Sequence, residues 1–293
     1  MTLRIGTRGS ALALAQARWV ADRLGGDADL VPITTSGDRG RGGDKARFVK
    51  EIEEALLAGE VDLAVHSAKD VPAELPEGLS IVGVPERADP RDALCGSESL
   101  DELAEGAVVG TSSLRRRAQL LALRPDLEVR DLRGNVDTRL RKLAEGEYDA
   151  LVLALAGLER LGRSGEGIPL DELVPDAGQG CLALEARSDD ERAAEAAAGV
   201  TDASALTCLT AERTLVAGLD ASCHTPMGAN ARLQGEAELR LTAFVGMPDG
   251  SHWIRDSVEA EAGDPADLGS EVAERLVAAG AAELLEAAER LAA

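Results

Sequence analysis

The sequence predicts an α/β fold followed by a smaller C-terminal α+β domain. In the first half of the chain, strand-like and helix-like patterns alternate, which is typical of sheets covered by helices. After about Ala203 the pattern changes to three strand-like segments in succession, which favours a small antiparallel sheet. A chain of 293 residues is long enough for two or three domains with sizeable cores.

The first series of elements ends in a buried strand. In order, the pattern predicts strand Leu3–Gly6, helix Ala11–Leu24, strand Leu30–Thr34, helix Phe48–Ala58 and the apolar strand Leu63–Val65. Ser10 is placed to cap the first helix, because its side-chain oxygen can accept from an N–H of the first turn. Residues 36–45 are rich in glycine and charge and have no periodicity, so we expect a mobile loop there.

A charged, proline-containing segment, residues 86–92, separates the first series from a second. The second series contains strands Val108–Gly110, Leu127–Leu132 and Ala150–Ala154, with helices Leu114–Leu123 and Val136–Glu145 between them. The C-terminal region contains strands Ala229–Leu233, Leu239–Val245 and Trp253–Glu259, then helix Asp267–Ala279. These C-terminal elements make up the predicted α+β domain.

The most informative segment is the end of the strand that begins at Leu63. Its apolar residues are followed at once by His66, Ser67, Lys69 and Asp70. Burying a charge is costly unless it is paired or binds a ligand, and ligands of open α/β sheets bind beyond the carboxyl ends of strands. Asp70 is therefore the first candidate for a catalytic group.

Arginines recur where predicted strands end and helices begin. The set comprises Arg8, Arg115, Arg116, Arg133, Arg139 and Arg160. Guanidinium groups bind carboxylates and phosphates in a bidentate manner, and helix N-termini add donors for anions. Neither a P-loop nor a dinucleotide-binding fingerprint is present, so a polycarboxylate is the favoured ligand. The alternative, surface pairing with abundant acids, is preferred for Arg117, Arg124, Arg130 and Arg141.

The formal net charge of −22 and the presence of only four lysines set this composition apart. We interpret the acidic surface as an adaptation to a salty cytoplasm, that is, to a halophilic host, the alternative being simple solubility. The field of such a chain repels nucleic acid. The N-terminus shows no signal peptide and no apolar run could span a membrane, so we expect a cytoplasmic protein without a membrane partner.

The four cysteines show no spacing that would suggest a metal site. Cys223 lies in a short loop of small residues, as expected of an accessible thiol, whereas Cys95, Cys181 and Cys208 are predicted to be small buried hydrophobes. His66 is interpreted as a structural histidine rather than a catalytic base.

Taken together, these segments closely resemble the porphobilinogen deaminase (hydroxymethylbilane synthase) family. The matching motifs include Ile5–Ser10, Phe48–Glu51, Ala64–Pro72, Asp89–Asp92, Gly110–Arg116, Leu132–Asn135, Ala156–Leu158, Gly178–Gly180 and Cys223 with Pro226 and Gly228. They occur in the order of the family and cover the chain almost from end to end.

The resemblance implies two lobes with mixed sheets, similar to periplasmic binding proteins, and a third domain with a three-stranded antiparallel sheet. The implied boundaries are 1–85 with 181–200 for domain 1, 86–180 for domain 2 and 203–293 for domain 3. It also implies a monomeric transferase of tetrapyrrole and haem biosynthesis. Four porphobilinogen units are added to a covalent dipyrromethane primer with loss of ammonia, and hydrolysis then releases hydroxymethylbilane.

The resemblance also assigns residues. Asp70 is the catalytic residue, a fixed negative charge for a pyrrole that becomes cationic. The cofactor is attached to Cys223 by a thioether and is bound by Lys69, Asp70, Ser113, Arg115, Arg116, Arg133 and Gln179. Substrate carboxylates are bound by Arg8, Ser10, Ser67, Thr111, Arg139 and Arg160, and Lys45 and Arg41 belong to the mobile loop. No metal is implied.

Two alternatives remain open from the residues alone. One is a non-catalytic, two-lobed polycarboxylate-binding protein that uses the same arginines. The other is a deaminase-like protein that has lost its activity. The missing export signal and Cys223 favour the enzyme over the first, and Asp70, Lys69 and Cys223 favour it over the second.

Overall fold

The computed structural model describes residues 2–26, 28–37, 48–221, 225–235, 238–261 and 263–292. The chain forms two compact units, one made of residues 1–88 and 180–209 and the other of residues 89–179 and 210–293. Two five-stranded sheets and one three-stranded antiparallel sheet account for the strands of the described residues. The predicted fold class, α/β with a small C-terminal α+β part, is confirmed.

The elements follow in chain order. The strands are β1 (Leu3–Arg8), β2 (Ala28–Ile33), β3 (Leu63–Ser67), β4 (Leu79–Gly83), β5 (Asp92–Cys95), β6 (Val108–Gly110), β7 (Glu128–Arg130), β8 (Ala150–Ala154), β9 (Ile168–Leu170), β10 (Leu182–Arg187), β11 (Met227–Gln234), β12 (Glu238–Gly246) and β13 (Trp253–Glu261). The helices are α1 (Ala11–Arg23), α2 (Lys50–Leu57), α3 (Leu114–Leu123), α4 (Val136–Ala144), α5 (Leu155–Arg160), α6 (Glu191–Ala198), α7 (Ala203–Gly218), α8 (Pro265–Ala278) and α9 (Ala281–Ala292).

The two five-stranded sheets have the same construction. The first has the order β2-β1-β3-β10-β4 and the second the order β7-β6-β8-β5-β9. In each sheet the first three strands are parallel, and the fourth is antiparallel to both of its neighbours. That antiparallel strand, β10 or β5, follows closely after the chain enters the unit from the other one.

Helix α1 begins where its sequence predicts. The Ser10 side chain accepts from the N–H of Ala13, and the helix buries Ala17 and Val20 in one cluster with Ile5 of β1. Helix α2 places Ile52 and Leu56 against Ala64 of β3. Each helix thus covers the sheet with a stripe of apolar residues, which stabilises both elements at once.

The C-terminal sheet has the order β11-β12-β13, with helix α8 against β12 and β13 and helix α9 against β12. Helix α8 also lies very close to α7. A Cβ at Gly269 would lie 2.6 Å from the carbonyl oxygen of Ala211, so only glycine fits at that point. The predicted helix Asp267–Ala279 is confirmed with slightly different ends.

Several predicted elements are confirmed with the same ends, namely β6, β8 and α3. The predicted helix Phe48–Ala58 begins two residues later, at Lys50. Strands β4, β5, β9 and β10 are absent from the prediction. Most of the loop predicted for residues 36–45, including Arg41 and Lys45, lies outside the described residues.

Candidate functional site

Asp70 lies where a buried strand ends. Residues Leu63 to Val65 of β3 are almost fully buried, and the strand stops at Ser67. A short 3-10 turn, Ala68–Asp70, follows, and the N–H of Ala68 donates to the carbonyl of Cys181 at 3.1 Å. The turn brings Lys69 and Asp70 to a half-buried position instead of continuing the strand.

A cavity of about 90 Å³ brings the predicted residues of the first unit together. Its lining includes Arg8, Ser10, Ser67, Lys69 and Asp70. They come from the end of β1, the cap of α1 and the segment at the end of β3. Strands β1 and β3 are neighbours and run parallel. The guanidinium carbon of Arg8 lies 4.1 Å from the ring centre of Phe48, which also lines the cavity. One carboxylate thus shares this cavity with cations and hydroxyl groups.

In the second unit, Arg115 and Arg116 are buried and share the carboxylate of Asp92. Arg115 Nη1 donates to Asp92 Oδ2 at 2.7 Å, and Arg116 Nε donates to Asp92 Oδ1 at 2.9 Å. Arg115 Nη1 also donates to the carbonyl of Val174, and Arg116 Nη1 to that of Val152. A ligand carboxylate at these arginines would share them with Asp92.

Asp92 is fully buried at the start of β5. Burial by itself would raise the pKa of this carboxyl, but Arg115 and Arg116 hold the pKa far below its usual range. Gln179 contributes as well, because its Nε2 donates to Asp92 Oδ1 at 2.9 Å and to the carbonyl of Pro90 at 2.7 Å. Gln179 therefore reaches the Asp92 network, through which it can orient the two arginines.

Arg139 differs from its neighbours. Its Nε donates to the carbonyl of Gly134 at 2.7 Å, and no acidic side chain among the described residues lies within ion-pair distance of it. Burial lowers the pKa of Arg139 to about 10, and the like charge of Arg116 acts in the same direction. A half-buried guanidinium without an acidic partner is a site where an anion would bind favourably.

The remaining predicted residues of this unit follow its parallel strands along the chain. Thr111 follows β6 and is buried, and Ser113 caps α3. Arg133 is exposed after β7, and Arg160 is half-buried at the far end of α5, which follows β8. Thr111, Ser113 and Arg133 thus come soon after the carboxyl ends of two neighbouring parallel strands, whereas Arg160 is separated from its strand by a helix.

Three predicted residues, Cys223, Lys45 and Arg41, lie outside the described residues. The described cysteines, Cys95, Cys181 and Cys208, are all buried, and none forms a disulfide. Within the described ranges, no group of His, Cys, Asp and Glu side chains is arranged to hold a metal ion. No described helix is long and apolar enough to cross a membrane.

Sequence reasoning missed two buried acids of the first unit, Glu53 on α2 and Glu185 on β10. His66 Nε2 lies 3.0 Å from Glu185 Oε2. The histidine that the sequence analysis interprets as structural therefore has a carboxyl group as its neighbour. Burial raises the pKa of Glu53 to about 7, and the nearby charge of Glu185 adds to the effect. The sequence signal that could have revealed these acids is Glu185 itself, a single acidic residue among the apolar residues of a strand.

The fold and the grouped side chains define a class of protein. Two α/β units carry cations and hydroxyl groups at the carboxyl ends of their parallel strands, which is where α/β proteins handle small ligands. A third, antiparallel sheet is added at the C-terminus. These features describe a protein that acts on a small molecule with several negative groups.

Comparison with known proteins gives the family. The family profile "Porphobilinogen deaminase, dipyromethane cofactor binding domain" matches residues 3–195, and "Porphobilinogen deaminase, C-terminal domain" matches residues 206–278. Proteins named porphobilinogen deaminase from Deinococcus radiodurans, Thermus thermophilus and Brevibacillus brevis are 49%, 48% and 47% identical to it, each over at least 96% of both chains. The chain belongs to the porphobilinogen deaminase family, whose members are transferases with a dipyrromethane cofactor.

Solved structures show weaker likenesses. A periplasmic substrate-binding protein of an ABC transporter from Coxiella burnetii is 16% identical, with a TM-score of 0.43 over 70% of this chain and 94% of that one. A TRAP periplasmic solute binding protein from Desulfovibrio salexigens is 12% identical, with a TM-score of 0.42 over 69% of this chain and 72% of that one.

Proposed function

We propose that this chain joins four porphobilinogen units in sequence, each with loss of ammonia, and releases hydroxymethylbilane by hydrolysis. The observation that carries the proposal is the cavity of the first unit, where Asp70 meets Arg8, Ser10, Ser67 and Lys69. When bound, the dipyrromethane supplies the pyrrole to which the first unit is added. The arginines suit its acetate and propionate groups, so the residues present fit the cofactor.

In this proposal Asp70 acts by charge. Loss of ammonia leaves positive charge on the pyrrole of the incoming unit, and a preorganised carboxylate beside the pyrrole N–H stabilises that charge. Lys69, Ser67, Arg8 and Ser10, which line the same cavity, hold the carboxylates of the substrate and cofactor. The half-buried position of Asp70 keeps its charge only partly screened by water.

The second unit supplies further side chains that can donate hydrogen bonds to carboxylates. We assign Ser113, Arg115, Arg116 and Arg133 to the cofactor, with Gln179 orienting the arginines through Asp92. Thr111, Arg139 and Arg160 are assigned to the substrate. Arg139 supports this assignment best, because it is half-buried and no described acid lies within ion-pair distance of it, which leaves its charge available to a ligand.

Cys223 is the proposed point of attachment. The three described cysteines are buried, and burial raises the pKa of Cys95 to about 11, with the charge of Glu166 adding to it. A thiol that resists ionisation is a poor nucleophile, so Cys95 does not suit a thioether link. The burial of Cys181 and Cys208 leaves them inaccessible to a cofactor. The loop of Cys223, with its small residues, is the better candidate.

The mass of the intact purified protein tests the attachment. After expression in a haem-making host, we expect an adduct that matches a dipyrromethane and that is lost in Cys223→Ser. Cys208→Ser, which changes a buried cysteine of α7, is the matched control and should keep the adduct. An unmodified mass for the native sequence would exclude the covalent cofactor and favour a binding protein.

Asp70→Ala tests the catalytic role. The variant should fold and carry the cofactor but lose about 10²–10³-fold in the rate of hydroxymethylbilane formation, as preorganised charges typically contribute. Glu74→Gln, at an exposed position in the same segment, is the control and should keep its activity. Near-normal product formation by Asp70→Ala would remove Asp70 from the mechanism.

We further propose that the chain works as a cytoplasmic monomer in a salty cell. Three domains, 1–85 with 181–200, 86–180 and 203–293, are proposed on the basis of the three separate sheets. Lys45 and Arg41 would contribute cations from their loop. The net charge of −22 supports the salt proposal, which requires thermal stability to increase with potassium chloride concentration.

A further inference from the structure

Three ionisable groups are buried near one another in the first unit, and one of them, His66, also lines its cavity. Glu185 is fully buried, His66 is 4% exposed and Glu53 is 7% exposed. We call Glu53, His66 and Glu185 the buried acid–histidine cluster. None of the three is among the residues proposed to bind the cofactor or the substrate.

The register of the sheet explains how the cluster forms. Strands β3 and β10 are antiparallel, with His66 opposite Ala183 and Ala64 opposite Glu185. His66 and Glu185 are therefore diagonal neighbours on one face of the sheet, a distance that long side chains can bridge. Helix α2, which covers that face at Ala64, brings Glu53 to the same place.

Charge in this cluster is poorly compensated. His66 Nε2 lies 3.0 Å from Glu185 Oε2, but the two are not aligned as a hydrogen bond, and neither Glu185 oxygen has an aligned donor. Glu53 Oε1 also lacks one. Within the described part of the chain, the His66 imidazole is the single basic side chain within ion-pair distance of either acid.

The charged side chains on the surrounding elements interact with groups outside the cluster. On β10, Arg187 donates to the carbonyls of Leu56 and Val61 and pairs with Asp190. On β1, Arg4 pairs with Asp62, and Arg8 stacks on Phe48. On α2, Glu51 accepts from the N–H of Ser36, and the exposed Glu54 lies near Lys50. Strand β4 carries no charged residue.

Two buried carboxyl groups beside one imidazole cannot both ionise without a large desolvation penalty. Burial and the charge of Glu185 raise the pKa of Glu53 to about 7, while His66 acts in the opposite direction. The cluster therefore holds a proton near neutral pH that a pair of exposed glutamates would release.

The cluster is directly connected to the site. His66 is followed by Ser67 and by the turn that carries Lys69 and Asp70, and His66 itself lines the cavity. A change in where the His66 ring is held would move the start of that turn. Displacement of a catalytic group by about 1 Å is enough to change a rate by about 10²-fold.

We propose that the buried acid–histidine cluster is a proton-sharing positioning unit, in which a proton retained by Glu53 leaves Glu185 to hold the His66 ring and so fixes the turn that carries Asp70. This inference rests on the proposed role of Asp70. In the cluster, His66 is a positioning residue and does not react with substrate.

Carbon-13 NMR of the holoenzyme labelled at glutamate carboxyl carbons tests the proton. One carboxyl should titrate near pH 7, and its signal should disappear in Glu53→Gln. Glu54→Gln changes the exposed neighbour on the same helix and should retain that signal. The proposal is overturned if no glutamate titrates there, or if the signal survives in Glu53→Gln. This readout does not depend on Asp70, so its failure is distinct from a failure of the Asp70→Ala test.

Kinetics test the positioning. In variants that carry the cofactor by mass, Glu185→Gln and His66→Gln should each lower kcat by about 10–100-fold with little change in KM. The double variant should be no worse than the single ones, because both remove the same contact. Full kcat in either folded single variant, or losses that multiply, would contradict the proposal.

Glu53→Gln gives a test that keeps the shape of the cluster. Above pH 7, kcat of the native protein should fall as Glu53 ionises, and this fall should be missing in Glu53→Gln but present in Glu54→Gln. The same fall in Glu53→Gln would overturn the role of the proton, even if the variants of Glu185 and His66 do not fold.

Discussion

The two five-stranded sheets have the same pattern of parallel and antiparallel strands but place their buried acids in opposite surroundings. In the second unit, Asp92 on β5 accepts from two arginines and from Gln179, and its pKa lies far below the usual value. In the first unit, Glu185 on β10 has only the His66 imidazole within ion-pair distance among the described residues, and the pKa of nearby Glu53 is raised to about 7.

The difference shows that burial does not decide the charge of a carboxyl group. Asp92 and Glu185 are both fully buried on the corresponding antiparallel strands. What differs is the number of donors, since two guanidinium groups compensate desolvation whereas one unaligned imidazole does not. The second unit therefore surrounds its buried acid with aligned donors, whereas the buried acid on the corresponding strand of the first unit has none.

The largest effect should come from Asp92→Asn. Removing this charge leaves Arg115 and Arg116 buried without a counter-charge, which typically destabilises a protein by about 3–5 kcal/mol. Glu185→Gln, at the corresponding strand of the other unit, should lose much less, because neither oxygen of Glu185 has an aligned donor to lose. Urea unfolding at neutral pH measures both. Equal losses would show that the two buried acids are equivalent after all.

Glu53→Gln should stabilise the protein, but only at higher pH. The folded protein keeps the proton on Glu53 up to a pKa of about 7, whereas the unfolded chain releases it near 4.5. The free energy of unfolding of the native sequence therefore falls as pH rises between these values and stays lower above them. The glutamine variant escapes this loss, so its advantage should be near zero at the acidic end and at most about 3 kcal/mol above pH 7.

Denaturant unfolding of both proteins at pH 5 and pH 8 would check this pH dependence. Glu54→Gln should show no such dependence, because Glu54 is exposed. An advantage of Glu53→Gln that is largest at pH 5 would mean that the sign of the shift is wrong.

Arg139→Gln should weaken the reaction by removing a charge that no acid compensates. We expect kcat/KM to fall by about 10–100-fold, the equivalent of about 1.5–3 kcal/mol for a charged hydrogen bond. Arg141→Gln is the matched control on the same helix, since Arg141 is exposed and already paired with Glu145 at 2.7 Å. Equal effects of the two variants would place Arg139 outside the site.

The parallel half of each sheet could be predicted from the sequence, and the antiparallel half could not. Strands such as β8 are short apolar runs followed by helical patterns, which is a local signal. Strand β5 has only four residues and begins at Asp92, directly after a charged segment with a proline. Strand β10 contains Glu185, which interrupts its apolar run. Both strands depend on partners that are distant in sequence.

The grouping of Arg8 and Asp70 in one cavity could also be predicted, because both lie at or just after the ends of neighbouring parallel strands. What the sequence could not give was the pairing of the arginines. Nothing local distinguishes Arg116, which Asp92 neutralises, from Arg139, which no described acid approaches. The buried acid–histidine cluster depends on the register of β3 and β10, and that register is decided by tertiary contacts.

The smallest effects should come from a feature that the two units share. Ser10 and Ser113 each follow a parallel strand and cap the next helix, with hydroxyl oxygens 3.3 Å from the Ala13 nitrogen and 3.4 Å from the Arg116 nitrogen. Because these bonds are long, Ser10→Ala and Ser113→Ala should each lose only about 0.5–1 kcal/mol of stability. The exposed Ser164 makes a suitable control, and Ser164→Ala should be neutral in the same urea series.

Equal losses of stability at both caps would limit the difference between the units to their buried acids. A much larger loss at Ser113 would instead show that the Asp92 network depends on the start of α3, because Arg115 and Arg116 lie in its first turn.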